Sequence, residues 1–263
     1  MRPILLEIGR LKIYSFGTFI ALGAVVGALV TSWIGRRLGL KNPKTYENVL
    51  YSFVGALIFA RIGYFLVYRE EFQSLWQILA FWQGGLVAIT GLLGGFLIYC
   101  YRLRGQSQPL AINLDAAGVG LLAGWAVGKF GCHLSSCTIG RVYSGPLAVE
   151  NGYPVDLLSA VWAAVLALAI IALIRRKLQN GVLFFLAIEG LFLGELLIKT
   201  LRADFGSDYL KLETAVLLLI IAGIYLVFWR LHGPKPPGEQ LTKLFDRMNF
   251  RLSIWRNRPK GRL

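Results

Sequence analysis

The sequence predicts an all-α, polytopic membrane protein with seven transmembrane helices. Charged residues make up 16% of the 263 residues, against about 25% in a typical soluble domain. Residues of the AVILMFWYC set make up 56%, and the mean hydropathy is +0.59. So few charges cannot cover a water-exposed surface. The composition therefore excludes a soluble domain, a collagen-like or disordered chain, and a small disulfide-stapled fold.

Seven apolar stretches are long enough to cross a bilayer core of ~30 Å, which takes ~20 helical residues. The first contains no charged residue, the second contains Arg61 and the fourth contains Asp115. The third is too long for one simple span, so we expect its start to be an interfacial or re-entrant segment ending near Gly84 and Gly85. Residues 1–232 are expected to form one helical domain. The stretches are residues 13–35, 48–68, 75–101, 110–128, 157–174, 181–201 and 214–229.

Basic residues are concentrated in alternate connections between these stretches. By the positive-inside rule, the connections after the odd-numbered spans are cytoplasmic. The predicted topology therefore has its N-terminus outside and its C-terminus inside the cell. The basic residues concerned are Arg36, Arg37, Lys41 and Lys44, then Arg102 and Arg104, then Arg175, Arg176 and Lys177, and nine Lys or Arg within residues 230–263.

The last residues, 233–263, are predicted to be a basic cytoplasmic tail. Apolar residues recur there at helical spacing among basic ones, from Leu241 to Leu252, as in amphipathic helices that lie on anionic membranes. A flexible basic terminus is the alternative. Half of the formal net charge of +14 comes from residues 230–263, so the charge indicates topology and affinity for anionic lipid rather than nucleic-acid binding.

Four basic residues, Arg61, Lys129, Arg141 and Arg202, fall at or near the predicted outward ends of spans. An ionisable residue inside a span costs at least ~2.5 kcal/mol on insertion scales, so each needs a partner or a wet cavity. Separate snorkelling side chains, with an internal ion pair between Glu195 and Lys199, would be one explanation. Convergence on one leaflet favours an anion site, because Arg and Lys bind phosphate and the abundant phosphate there is a lipid headgroup.

Residues 128–141 form the densest cluster of small and reactive groups in the chain. The segment contains three glycines, Gly128, Gly131 and Gly140, and two basic residues, Lys129 and Arg141. It also contains two thiols and one imidazole, those of Cys132, Cys137 and His133. Two thiols and one imidazole fall short of a closed zinc site, so no metal is predicted. A disulfide between Cys132 and Cys137 at the outer face is an equally good interpretation.

With these residues the sequence resembles the prolipoprotein diacylglyceryl transferases of bacteria over most of residues 8–230. Gly128, Gly131, Gly140 and Arg141 match the glycine signature of that family, and Lys129 stands where the family has a lipid-phosphate-binding Arg. Further matching segments are Ile8-Gly9, Phe16-Gly17, Glu47-Asn48-Val49-Leu50-Tyr51, Ala60-Arg61-Ile62-Gly63-Tyr64, Trp82-Gln83-Gly84-Gly85 and the segment around Arg202.

The chain also departs from the family pattern, which indicates a divergent member. Ile89 stands at the position of an essential family His, Phe16 at that of a Tyr, and Glu195 at that of an Arg. Within the signature, Cys132 and Ser135 replace two Asn residues and Cys137 replaces an acidic residue.

The resemblance implies transfer of diacylglyceryl from phosphatidylglycerol to the cysteine thiol of a lipoprotein precursor in a bacterial plasma membrane, at the outer face. The implied partners are phosphatidylglycerol, the precursor peptide and membrane lipid, with no cofactor and no nucleic acid. The four cations would bind the leaving phosphate, and His133 and Glu195 are the candidate bases for the thiol. The alternatives are a catalytically inactive lipid-binding protein, and a transferase with another acceptor in which Cys132 or Cys137 forms a covalent intermediate.

Overall fold

The fold was analysed in a computed structural model. It consists of two compact units, residues 1–221 and 222–263. The predicted tail, 233–263, and most of the predicted seventh span, 214–229, lie outside the described residues, as do Gly84 and the start of the predicted third span. The structure describes residues 4–8, 11–41, 44–72, 85–104, 106, 109–145, 148, 151–176, 178–204, 214–215, 218–219, 222–223 and 225–226.

The first unit is built from helices, preceded by a β-hairpin. Helices α1 to α6 overlap the first six predicted spans. Among the described residues, four segments are long and apolar enough to cross a membrane, namely Ser15–Arg37, Thr45–Val67, Leu110–Leu134 and Val155–Arg176. The helices are α1 (Ser15–Arg37), α2 (Thr45–Val67), α3 (Ala88–Leu103), α4 (Leu110–Leu134), α5 (Val155–Leu173) and α6 (Val182–Lys199).

The hairpin is a departure from the all-α prediction. Strands β1 (Ile4–Ile8) and β2 (Leu11–Tyr14) pair antiparallel, with Ile8 opposite Leu11 and Glu7 opposite Lys12. Both strands contain Ile and Leu, and β2 ends with Tyr14; Ile and Tyr are favoured in strands. Strands of five and four residues are far shorter than a bilayer span, so the search for apolar runs of that length does not reveal them.

Glycine pairs allow α1 and α4 to pack with their backbones in contact. A Cβ atom on Gly23 would lie 2.7 Å from the carbonyl oxygen of Gly124, and one on Gly27 would lie 3.0 Å from that of Gly120. Both helices carry these glycines four residues apart, the small-residue spacing typical of close helix pairs in membranes. As the earlier glycine of α1 meets the later glycine of α4, the two helices run antiparallel.

Helices α5 and α6 pack on this pair through a core that includes Val119, Leu122, Ala163, Leu183 and Leu191. The buried carboxylate of Asp115 joins α4 to α6. Its Oδ2 accepts a hydrogen bond from the backbone N–H of Gly181 at 2.7 Å, and its Oδ1 accepts one from that of Phe184 at 2.8 Å. Asp115 therefore satisfies donors that the start of α6 leaves without an intrahelical partner.

Contacts between the helices bring several polar side chains to one end of the bundle. There the end of α2 meets the segment before α3, because the N–H of Val87 donates to the carbonyl of Ala60 at 3.1 Å. At the same end, the last turns of α4 and α6 meet the first turn of α5 through Lys129, Glu195 and Asp156. We call the end of the bundle that carries these residues the site end.

Candidate active site

A cluster of three charged side chains lies at the site end, between α4, α5 and α6. The ammonium nitrogen of Lys129 is 3.2 Å from Oδ1 of Asp156 and 4.0 Å from Oε2 of Glu195. Both carboxylates are almost fully buried, whereas 20% of the Lys129 side chain is exposed. The two acids therefore hold a buried cation in place while a part of its side chain remains accessible.

Trp125 completes the cluster from one turn earlier in α4. Residues four apart lie on the same helical face, so the Trp125 ring sits beside the Lys129 side chain, with its centroid 5.9 Å from the ammonium nitrogen. The Trp125 indole N–H also donates a hydrogen bond to Oε1 of Glu195 at 2.8 Å. The indole thus fixes the carboxylate that faces Lys129.

Asp156 ties the cluster to the loop that follows α4. Its Oδ2 accepts a hydrogen bond from the backbone N–H of Thr138, and its Oδ1 accepts one from the Thr138 hydroxyl, both at 3.1 Å. Asp156 is 3% exposed, and a buried carboxylate is stable only where such donors and a cation replace water. Asp156 therefore positions both Lys129 and the segment around Thr138.

Three residues of the cluster, Asp156, Trp125 and Thr138, are not among the predicted site residues. Asp156 is the second residue of α5, directly after Pro154 and Val155, where an acid is explained by its interaction with the helix dipole alone. The signal that was available is that an acid at the start of one span and a basic residue at the end of the preceding one must lie at the same membrane face.

Arg61 forms a second group, between α2 and the segment before α3. The side chain is buried (4% exposed), and its Nη1 donates a hydrogen bond to the carbonyl oxygen of Gly85 at 3.0 Å. The guanidinium carbon lies 5.2 Å from the ring centroid of Phe72 and 5.7 Å from that of Tyr64. Tyr64 and Tyr68 follow Arg61 at the spacing of one side of a helix, and their two rings contact each other.

Arg141 and Arg202 are brought together by their backbones. The N–H of Arg141 donates to the carbonyl of Leu201 at 2.8 Å, and Gly140 forms an antiparallel β-bridge with Arg202. Helix α6 ends at Lys199, so Arg202 lies in the turn beyond the helix and does not continue the helical face of Glu195 and Lys199.

The Arg202 guanidinium binds a carboxylate in a bidentate manner. Its Nε and Nη2 donate to the two carboxylate oxygens of Asp204 at 2.8 and 2.7 Å. Hydrogen bonding from Arg202 lowers the pKa of Asp204 below its usual value, because it stabilises the ionised carboxylate. The same two donors are the ones that Arg202 would offer to a phosphate.

The signature glycines permit close packing. Gly131 faces the side chain of Phe19, and a Cβ atom on Gly128 would lie 3.4 Å from Ile20, so both lie where α4 passes α1. A Cβ atom on Gly140 would collide with the backbone of Tyr153, which explains why glycine occupies the bridge to Arg202.

His133 and the two signature cysteines lie in the last turn of α4 and just beyond it. The His133 ring is tilted against that of Phe130, with 6.3 Å between their centroids. Cys132 and Cys137 are free thiols, so the structure does not contain the disulfide that the sequence analysis kept as an interpretation. Within the part of the chain that the structure describes, no group of three His, Cys, Asp or Glu residues is placed to hold a metal ion.

Comparison with known proteins identifies the family. The sequence profile of the prolipoprotein diacylglyceryl transferases matches residues 3–229. The chain belongs to this family. A phosphatidylglycerol–prolipoprotein diacylglyceryl transferase of Halalkalibacterium halodurans is 27% identical over 250 residues, covering 86% of this chain and 85% of that protein. A protein of the same name from Staphylococcus carnosus is 24% identical over 269 residues, covering 92% of this chain and 94% of that protein.

A third relative of that name, from a Nostoc species, is 26% identical over 223 residues, covering 77% of this chain and 79% of that protein. The family assignment confirms the resemblance predicted from residues 128–141 and the segments before them. Ile89, which the resemblance predicts at the position of a family His, is a buried side chain in the first turn of α3 in this prolipoprotein diacylglyceryl transferase family member.

Proposed function

We propose that this chain transfers the diacylglyceryl group of phosphatidylglycerol to the cysteine thiol of a lipoprotein precursor. The family match over residues 3–229 and relatives named for this reaction support the proposal. Cys132, Ser135 and Cys137 depart from the family signature, but Lys129 retains a cation at the phosphate-binding position. The proposal therefore depends on what Lys129 and its neighbours are able to do.

The observation that carries the proposal is the ammonium group of Lys129, held between the carboxylates of Asp156 and Glu195 on a side chain that is 20% exposed. A cation in fixed position stabilises a negative charge that develops nearby at little cost in reorganisation. Its separation from Glu195 is 4.0 Å, at the limit of an ion pair. We infer that a lipid phosphate takes up this looser side of the ammonium group while Asp156 retains the other.

The reaction needs a thiolate and a leaving phosphate. The thiolate sulfur of the precursor cysteine bonds to the glyceryl carbon that carries the phosphate oxygen. The bond between that carbon and oxygen breaks, and glycerol phosphate leaves with the electron pair. Lys129 neutralises the phosphate, with Arg61, Arg141 and Arg202 as the further cations proposed for it.

Glu195 is the base that the geometry favours for the thiol proton. Its carboxylate is oriented by the indole N–H of Trp125 and lies 4.0 Å from the ammonium nitrogen of Lys129. A carboxylate so close to the proposed phosphate position is within reach of a thiol that attacks the adjoining glyceryl carbon. His133, which contacts Phe130, remains the second candidate base.

We further propose that the site end faces the outside of a bacterial plasma membrane. Arg36 and Arg37 end α1, Arg102 lies in the last turn of α3, and Arg175 and Arg176 follow α5. All five belong to the end of the bundle opposite Lys129. The positive-inside rule assigns that basic end to the cytoplasm.

One observation favours a second candidate function, that of a lipid-binding protein without transferase activity. Ile89 is buried and apolar where the family has an essential His, so the chain lacks that imidazole. Lys129 and Arg61 would serve lipid binding equally well. The two functions differ in whether a precursor peptide gains a diacylglyceryl group.

The test is a transfer assay with the purified full chain in phosphatidylglycerol vesicles and a synthetic precursor peptide, read by the mass of the peptide. We expect the peptide to gain one diacylglyceryl group, and a peptide with Ser in place of its Cys to gain none. Lys129→Ala is expected to lower the rate by about a hundredfold or more, and Lys129→Arg to retain it.

Arg175→Ala is the matched control, because it removes a cation from the opposite end of the bundle and should leave the rate unchanged. Binding of a short-chain phosphatidylglycerol to the detergent-solubilised chain, without any modified peptide in the transfer assay, would favour the lipid-binding function. Equal rates for Lys129→Ala and the unmodified chain would refute the role of Lys129.

A further inference from the structure

The end of α4 places two thiols side by side. The N–H of Cys137 donates to the carbonyl of Cys132 at 3.1 Å and that of Ser136 to the carbonyl of His133 at 3.4 Å, while Ser136 has a positive φ of 53°. This is the pattern of a Schellman cap, in which the first and last residues of the motif bring their side chains into contact. An apolar pair often occupies these two positions, whereas this chain has a cysteine at both.

The two sulfur atoms interact with each other. The Cys132 thiol hydrogen-bonds to Cys137, and both residues are free. Cys137 is exposed and Cys132 is half-buried. A reagent at the surface would therefore reach Cys137 first, and Cys132 would already be within contact of its sulfur.

The surroundings of Cys137 favour its thiolate. The hydrogen bond from Cys132 and the nearby ammonium group of Lys129 lower the pKa of Cys137, against the opposing effects of burial and of Asp156. Thiolates are the species that attack disulfides. The next residue, Thr138, is bound to Asp156 through both its N–H and its hydroxyl, which holds the Cys137 backbone in place.

We propose that Cys132 and Cys137 form a reversible thiol–disulfide site, in which Cys137 is the attacking thiol and Cys132 the resolving thiol. The oxidant is an organic disulfide, of a small molecule or of another protein. The Cys137 thiolate attacks one sulfur of that disulfide, its S–S bond breaks, and one thiolate leaves. Cys132 then loses its proton, its sulfur attacks that of Cys137 in the mixed disulfide, and the second thiolate leaves. Two protein thiols are oxidised and one disulfide is reduced to two thiols.

A covalent lipid carrier fits the pair less well. If Cys137 attacked the glyceryl carbon of a phospholipid, the product would be a thioether. A second transfer would have to expel the Cys137 thiolate from that carbon, and a thiolate is a poor leaving group there. A disulfide, in contrast, is reopened by any reducing thiol. Because Cys137 adjoins Thr138, the closed disulfide would also restrain the segment that holds Asp156 against Lys129.

The test uses the full chain in detergent, treated with oxidised glutathione, then blocked with N-ethylmaleimide and digested with trypsin. Lys129 and Arg141 bound a single tryptic peptide, 130–141, that contains both cysteines and no other. We expect this peptide to lose two hydrogen atoms and to carry neither glutathione nor maleimide. Dithiothreitol before blocking should return both thiols. Cys100, in a different peptide, is the internal control and should react with maleimide under all conditions.

Two variants separate the roles of the thiols. Cys132→Ser should accumulate a stable glutathione adduct on Cys137, because no resolving thiol remains. In Cys137→Ser, the remaining thiol of Cys132 should react with oxidised glutathione at least roughly tenfold more slowly than Cys137 does in the unmodified chain. A stable glutathione adduct on Cys137 in the unmodified chain, or peptide 130–141 with both thiols blocked by maleimide after oxidation, would overturn the proposal. Either result is read from the unmodified chain, even if a variant fails to fold, and neither depends on transferase activity.

Discussion

Lys129 and Asp156 lie 27 residues apart in the sequence, and their side chains meet at 3.2 Å where the end of α4 packs against the start of α5. The contact joins the glycine signature to the next helix. It also gives the carboxylate of Asp156 a partner besides Thr138. The local fold of the signature and the position of its cation therefore depend on the same acid.

Asp156→Ala is expected to lower the free energy of unfolding by about 2–3 kcal/mol. Removing one partner of a buried ion pair leaves the other uncompensated, and the loss is moderated because Lys129 is partly exposed and retains Glu195. Asp204→Ala is the matched control, since it breaks the Arg202–Asp204 pair where Asp204 is 47% exposed, and it should cost at most about 1 kcal/mol. Unfolding in mixed detergent micelles, followed by circular dichroism, measures both. Equal losses would contradict this account of Asp156.

Gly23→Ala is expected to destabilise the chain by about 1–3 kcal/mol, because the new Cβ atom would lie 2.7 Å from the carbonyl oxygen of Gly124 and force α1 away from α4. Gly17→Ala, in the same helix, is the control. A Cβ atom there meets nothing within 4 Å, so its expected effect is neutral or a gain of up to about 1 kcal/mol. Unfolding in mixed detergent micelles, followed by circular dichroism, measures the free energy of unfolding of both variants. An equal effect of the two substitutions would show that the contact between Gly23 and Gly124 does not contribute to stability.

Arg61→Ala is expected to weaken binding of a short-chain phosphatidylglycerol to the detergent-solubilised chain roughly tenfold or more, because a charge-assisted hydrogen bond contributes about 1.5–3 kcal/mol. The Lys129→Ala/Arg61→Ala double variant should bind this lipid no better than a short-chain diacylglycerol, which lacks the phosphate. Arg37→Ala is the control, since its guanidinium lies over the Trp33 ring at the opposite end of the bundle. Calorimetric titration of the chain with the lipid gives the binding constant. Normal binding by a folded double variant would remove the basis of the proposed phosphate site.

Alkylation of Cys137 by iodoacetamide is expected to reach its half-maximal rate at a lower pH than that of an ordinary cysteine. The reason is that the hydrogen bond from Cys132 favours the Cys137 thiolate and lowers its pKa. Cys132→Ala removes this donor and should move the profile of Cys137 to higher pH. The rates are followed by the mass of peptide 130–141 in the variant, where Cys137 is its single thiol. An unchanged profile would mean that Cys132 does not set the reactivity of Cys137.

Several features of the bundle were predictable because they are local. Helices α1 to α6 are visible in the sequence as apolar runs, and four of the described segments are long enough to cross a membrane. The contact of Arg61 with Tyr64 follows from their spacing of one helical turn. The family match also confirms what the residues around Gly128, Gly131 and Arg141 indicated.

The partners of these residues were less predictable. Trp125 and Glu195 lie 70 residues apart, and their hydrogen bond depends on how α4 and α6 pack. The turn that ends α6 before Arg202 depends on the backbone bridge to Gly140. Neither follows from the pattern within one helix.

By itself, the sequence determined that the chain is a helical membrane protein of this family, because apolar length, charge content and signature residues are properties of the chain alone. The tertiary structure decided which charges meet. A basic residue at the end of one span has acids of several spans within possible reach, and close packing through glycines selects among them. The packing of the helices pairs Lys129 with the carboxylates of Asp156 and Glu195. It pairs Arg61 with a backbone carbonyl, that of Gly85.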